Sequence, residues 1–373
     1  MEPTPASFAR FPVVARPRPA CAPLDARVSR LCELARTADR DDDQTTASAV
    51  FNQAALLASD LDLPDLAREW CHRHADLYLR ARPLTGRAAQ HALEPLVNLA
   101  RLHIRAGDGD TAFRLLDSLY EALAARTDTV IEGIQVPASE LTPTDGDHRE
   151  VLRWLWTVHL ADGTRALTTA GRWQDALNHL RHRNGIGQRM LDGRQVAVIA
   201  HATADDVGTA RALLAGTEPG EPWEDAVTAC LAALCEPRRT QGEALDVMLN
   251  RYRRIDQTTS GLVVFRTRLG LSVIDAAGGV GRSEGRAVAV TLITGAVASA
   301  DGYAARELLD HPGCAALLES EQATALTRVL QASALGRRRL PERLMAKLSA
   351  ALDMSDTVIT RTLGAAPKGA ERA

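Results

Sequence analysis

Cys71, His72 and His74 stand within four residues of one another in "EWCHRHADLYL", and thiolate and imidazole are the donors that zinc takes. On a helix, Cys71 and His74 share a face and could hold a metal between them. A structural zinc site needs four ligands, however, and no second cysteine–histidine pair lies at zinc-site spacing. Packing is the expectation for the ladder Ala67–Cys71–His74. His179 and His182, in "NHLRHRNG", form a similar pair near a helix C-terminus, where a cationic ring complements the helix dipole. No metal and no cofactor is expected.

Other chemistries fail for want of residues. The only lysines are Lys347 and Lys368, in a leucine-rich helix and in the tail. A Walker loop and a pyridoxal-phosphate site each need a lysine in a defined context, and neither lysine has one. "DAAGGVGRSEGRA", residues 275–287, is rich in glycine but lacks the G-x-G-x-x-G spacing and follows a helix rather than a strand. It reads as a helix break. There is no G-x-S-x-G elbow and no H-E-x-x-H pair, so no catalytic residue is nominated.

A net charge of -3 gives no basic footprint for nucleic acid. The six cysteines form no C-x-x-C pair, as expected of buried thiols in a reducing compartment. No run approaches the ~18 apolar residues of a membrane span, so a cytoplasmic protein is expected.

Alanine and leucine dominate the apolar positions and aromatics are only 4%, which favours closely packed helices over sheets. The apolar spacing predicts helices near 25–37, 44–60, 64–80, 87–106, 109–125, 148–170, 173–184, 187–203, 206–215, 222–235, 241–254, 260–277, 285–299, 302–310, 319–335 and 341–352. Residues 1–24 read as a disordered arm rich in proline and arginine, and 363–373 as a disordered tail. Trp154, Trp156 and Trp173 are expected in the core.

One joint recurs. "RLHIRAGDGDTAFRLLDSLYEAL" places the turn Ala106–Asp110 ahead of Ala112 and an apolar ladder. "LLASDLDLPDLAREW" turns at Asp60–Pro64 before Ala67, "ALTTAGRWQDALNHL" at Gly171 before Ala176, and "AHATADDVGTARALL" at Asp205 before Ala210. A small side chain suits the point where two helices approach most closely. Upstream, Phe51, Ala54, Ala55 and Ala58 repeat the spacing of Leu96, Leu99, Ala100 and His103.

This pattern resembles the tetratricopeptide-repeat (TPR) family over roughly residues 45–215. The resemblance implies an all-α, right-handed α-solenoid of antiparallel helix hairpins. Repeats are then expected over 25–215, interrupted by an insertion at 127–147, with degenerate helical repeats and a cap over 216–362. The style also resembles the repeat-bearing sensor halves of actinobacterial regulators. No helix-turn-helix stands ahead of the repeats here, so DNA binding is not carried over.

In that family the first helix of each hairpin lines a concave groove. The matching positions here are Asn52, Glu94, Asn98, Arg101, Arg105, Asp162, Arg165, Asp192 and Gln195. Asn98 stands where related repeats use an asparagine to hold a peptide backbone or carboxylate, and Arg101 and Arg105 replace the usual lysines with bidentate donors. A non-catalytic adaptor binding a peptide or partner protein is the expectation, with neither nucleic acid nor membrane as partner. The alternative is an accessory or catalytic component of a specialised-metabolite pathway. In that reading the 127–147 insertion closes over a small ligand, and His103 and His201 recur at one place in two hairpins. The stripe Leu340, Leu344, Leu348 and Leu352 is either a cap or a homodimer surface.

Overall fold

The computed structural model describes residues 7–235, 242–256, 259 and 261–365. The chain is all-α: these residues form seventeen α-helices, a 3-10 turn at Phe8–Arg10 and one two-stranded hairpin. Among them no helix is long and apolar enough to cross a membrane. Contacts divide the chain into two compact units, Leu24–Ala166 with Ala334–Ala373, and Met1–Pro23 with Leu167–Ser333. The boundaries read from the sequence, at 24, 215 and 362, follow the chain, whereas these units each gather two separate stretches.

The first unit contains α1 (Leu24–Asp41), α2 (Gln44–Asp60), α3 (Pro64–Leu79), α4 (Gly86–Arg105), α5 (Gly109–Ala125), strands β1 (Thr129–Ile131) and β2 (Ile134–Val136), and α6 (Asp145–Thr169) as far as Ala166. From α1 to α5 each helix packs on the next, and the last helix of the chain, residues 342–365 (α17), packs on α1, α2 and α3. The core is made of Phe51, Leu57, Tyr78, Leu93, Leu96 and Leu116, with Leu344, Leu348 and Leu352 of α17 joining it. Three of the four leucines of the proposed stripe are therefore buried within this unit, closing its own core rather than offering a dimer surface. The expected helix 341–352 continues to Ala365 because Ser355, Val358 and Ile359 extend its buried face. Of the expected disordered tail, 363–365 is helical and 366–373 lies outside the described residues.

The 127–147 insertion is an ordered flap. β1 and β2 pair antiparallel, with Ile131 opposite Ile134, across a turn at Glu132 and Gly133 whose φ values are 45° and 83°. Two positive φ values in a two-residue turn suit the twist of a hairpin. Ile131, Ile134, Val136, Ala138 and Leu141 are buried in the unit's core.

The other unit holds α7 (Trp173–His182), α8 (Asp192–Thr203), α9 (Val207–Ala215), α10 (Pro222–Cys235), α11 (Glu243–Arg253), α12 (Val263–Ala276), α13 (Ser283–Ser299), α14 (Gly302–Asp310), α15 (Pro312–Ala315) and α16 (Ser320–Ser333). α8 packs on α9, α10 on α11, α12 on α13 and α14 on α16, while α8, α10, α12 and α14 also touch in succession. The expectation of a disordered arm is corrected over residues 7–23. Phe8, Phe11, Val13 and Cys21 are all buried, because apolar side chains there find sites on this unit; residues 1–6 lie outside the described residues.

The recurring joint has one geometry. Asp62, Gly107, Gly171 and Asp205 are left-handed, with φ of 60°, 83°, 73° and 61°. The next residue in each case, Leu63, Asp108, Arg172 or Asp206, sends its N–H back to Ala58, His103, Leu167 or His201 at 2.9 Å. This is the Schellman ending, which satisfies the last carbonyls of the first helix. Four residues further on stand Ala67, Ala112, Ala176 and Ala210, each fully buried. Asp42, Asp43 and Ala47 repeat the arrangement between α1 and α2, with φ of 50° at Asp42 and the 3.0 Å return bond from Asp43 to Ala38. Ala300, left-handed at φ 48°, precedes Asp301 and buried Ala305 in the same register. These two joints were not among those read from the sequence.

Candidate functional site

Asn52, Asn98, Arg101 and Asp162, expected along the inner helices, meet in one hydrogen-bonded ladder. On α4, apolar Leu93, Leu96, Val97 and Ala100 face the core, which leaves Glu94, Asn98, Arg101 and Arg105 along the other stripe. Asn98 donates to Asn52 Oδ1 of α2 at 2.9 Å and accepts from Arg101 at 3.0 Å. Arg101 in turn donates through Nε and an amino nitrogen to Asp162 Oδ2 of α6, at 3.1 and 2.8 Å. Three helices are thus laced by four side chains. Burial pushes the Glu94 carboxyl up, but hydrogen bonds from His91 and Asn52 and the two histidine rings outweigh it, leaving it below the ordinary carboxylate range.

Arg105 serves a different purpose from the one its position suggests. With Arg27 of α1, which lies 2.5 Å from Oδ2, it pairs the fully buried carboxylate of Asp60 at the end of α2. A buried charge must be paired to be tolerated. Arg101 and Arg105 each pair an internal carboxylate, Asp162 and Asp60. Arg165 is exposed on α6, three residues beyond Asp162.

His103 and His201 do recur, for a structural reason. His103 Nδ1 lies 3.4 Å from Asp108, and His201 Nδ1 2.9 Å from Asp206. Those carboxylates cap the following helices by accepting the N–H of Thr111 and Thr209, each at 3.1 Å. Each histidine therefore braces a cap, in the shared pattern H-x4-D-x2-T. On its other side the His103 ring contacts Glu132 in the flap's turn, and Glu132 lies 3.7 Å from Arg68. Asp108 and Asp206 are both held below the usual range, chiefly by the threonine hydroxyl and amide.

Cys71 and His74 are both buried on α3. The His74 ring stacks on Phe51 with centroids 4.9 Å apart and meets the edge of Tyr78 at 5.6 Å. Burial lifts the Cys71 thiol to about 12. Among the described residues no three histidine, cysteine or carboxylate groups are placed to hold a metal ion. His182 Nδ1 donates to the carbonyl of Asn178 at 2.7 Å, at the C-terminus of α7. Trp173 is buried, and Trp154 and Trp156 are half-buried.

Asp192 and Gln195 lie in the other unit, on α8, and both hold the N-terminal segment. Pro12, Pro17, Pro19 and Pro23 keep this segment from becoming a helix, so its buried backbone groups need partners from elsewhere. Gln195, fully buried, accepts the Val13 N–H at 2.8 Å and donates to the Val13 carbonyl at 2.9 Å. The Arg18 N–H reaches the Gly261 carbonyl at 3.1 Å. The Cys21 N–H reaches Asp301 at 3.2 Å, and the Cys21 carbonyl accepts from the Gly302 N–H at 3.0 Å. At Gly261, φ is +80° and a Cβ would come 3.1 Å from the Arg18 nitrogen, so a larger residue there would be strained and would push the segment back.

Side chains add to the hold. Arg10 donates to Asp275 at 2.5 Å, Arg16 pairs Asp192 at 2.9 Å, and the Arg18 guanidinium lies 4.2 Å from the Tyr303 ring centroid. His311 accepts the Cys314 N–H on Nδ1 and braces Asp275 from Nε2 at 3.3 Å. Asp275, Asp301, Tyr303 and Gly261 escaped sequence reading, because each stands more than 240 residues from the segment it meets. The one available signal was the apolar pattern Phe8, Phe11, Val13 inside a proline-rich stretch. No family model, no curated protein and no solved structure matches this chain, so the geometry alone supports the reading that follows.

Proposed function

We propose that this chain is a TPR-like right-handed α-solenoid of antiparallel hairpins that works without catalysis, as a cytoplasmic adaptor or regulator binding an extended segment of a partner protein. The observation that carries this reading is the Gln195 side-chain amide on the Val13 backbone, at 2.8 and 2.9 Å. A side-chain amide that pairs both N–H and C=O of one residue recognises extended main chain whatever the side chain, which is how peptide-binding surfaces gain affinity before specificity. The recurring Schellman joints and buried alanines support the repeat reading. The small-ligand alternative draws no support from the flap, whose Ile131, Ile134, Val136, Ala138 and Leu141 are buried in the core.

The test is selection of a displayed random-peptide library on the full-length chain, followed by titration of the selected peptides. Binders with micromolar Kd that lose at least tenfold on Gln195→Leu support the reading. Failure to select any binder, or binders indifferent to Gln195, defeats it.

A further inference from the structure

We propose that the face formed by α8, α12 and α14 is a groove for an arginine-bearing segment with spaced aromatic and aliphatic residues, and that residues 8–21 of this chain, a 3-10 turn followed by non-helical chain, are its resident occupant, displaced when a partner's segment of that kind arrives. This deepens the binding reading and rests on it.

Three observations point to a ligand rather than to a tidied chain end. First, backbone groups are gripped at Val13, Arg18 and Cys21 by three separate elements, through Gln195, Gly261 and Asp301 with Gly302. Second, the side chains are read as a pattern. Phe8, Phe11 and Val13 are buried, and the arginines at 10, 16 and 18 each meet a carboxylate or an aromatic face. Those carboxylates suit a cationic ligand, since guanidinium–carboxylate pairs and guanidinium over an aromatic ring are both favourable. Third, the grip is uneven: Arg16–Ala20 are exposed, whereas Phe11 and Val13 before them and Cys21 after them are buried, giving an incoming strand a place to start.

A tethered occupant competes strongly. Its effective concentration is of the order of millimolar, and a free peptide's apparent affinity falls by the fraction of time the groove stands open. The arm therefore acts as a threshold that only a better-matched or locally concentrated segment passes.

The experiment uses a fluorescein-labelled synthetic peptide of residues 7–22, with serine in place of Cys21, titrated by anisotropy against the full-length chain. The comparison is the full-length double variant Arg10→Glu/Val13→Pro. It sets a carboxylate against Asp275 and removes the N–H that Gln195 accepts, leaving every groove residue intact. Phe8→Ala/Phe11→Ala is a second arm variant, and circular dichroism confirms that each remains folded. The expected result is at least tenfold tighter peptide binding to an arm variant than to the wild type, with that gain removed by Gln195→Leu. Equal binding to wild type and both variants overturns the arm's role but leaves the groove's function standing. No binding to any of them, or binding indifferent to Gln195, overturns the proposed ligand class. The library selection then decides the broader reading on its own.

Discussion

The amide of Gln195 on α8 closes two hydrogen bonds on Val13, a residue 182 positions earlier in the chain, both in a fully buried setting. Gln195→Leu keeps the volume and removes both partners. A buried N–H and C=O left unpaired cost about 1–3 kcal/mol apiece. Loss of about 2–6 kcal/mol in urea unfolding is expected, together with lost amide-exchange protection at Val13. Unchanged protection there would mean that the pair does not hold the segment in solution.

In the ladder, Arg101→Glu faces the new carboxylate toward Asp162. Arg101 is 43% exposed and Asp162 13%, so the coupling is that of a half-solvated pair, about 1 kcal/mol. A double-mutant cycle with Asp162→Arg should recover most of the loss. Absence of any recovery would separate the two residues energetically. The same substitution is a poor probe of ligand capture, because Arg101 is tied within its own unit.

His74 predicts a pH dependence. Burial drives its imidazole down to about 3, with Glu94 raising it and His91 lowering it, between the rings of Phe51 and Tyr78. The unfolded chain protonates this residue near 6.5 and the folded chain does not until about 3, so below 6.5 the unfolded state binds the extra proton. Stability is therefore full above pH 6.5 and falls with pH toward 3, at a slope approaching about 1.4 kcal/mol per pH unit. Unfolding free energies measured between pH 7.5 and 5 should show this fall, and His74→Phe should flatten it. An equal slope in that variant would assign the effect to other groups.

The joints make a packing prediction. Ala112 is fully buried where α4 turns into α5, so Ala112→Leu forces the two helices apart at a cost of about 1–3 kcal/mol. Gly107→Val places a β-branched residue at φ 83°, where left-handed backbone costs about 1–2 kcal/mol. Ala106, exposed one position earlier, should accept valine with little change. Thermal melts of the three variants test the contrast, and similar Tm values for all three would contradict the assigned geometry.

What the sequence determined by itself is local. Helix after helix follows from the 3.6-residue spacing of alanine and leucine. The turns at Gly107 and Gly171 follow from glycine's freedom at positive φ, and the alanine beyond each turn from the room available where helices cross. Those are interactions between residues a few positions apart, so the chain's own order reveals them. Even so, the joints at Asp42 and Ala300 went unread; alanine, unlike glycine, carries no local signal for the left-handed turn it makes at position 300. Tertiary structure alone decided what the polar residues do. Asn52, Asn98, Arg101 and Asp162 were legible as inner-face residues, yet their pairing into one ladder depends on how three helices lie together. Arg105 became the partner of buried Asp60, because a carboxylate taken out of water must find a cation. The segment read as loose arm is held because Gln195, Asp275 and Asp301 reach it from far along the chain, and periodicity, which registers only neighbours, carries no trace of contacts at that range.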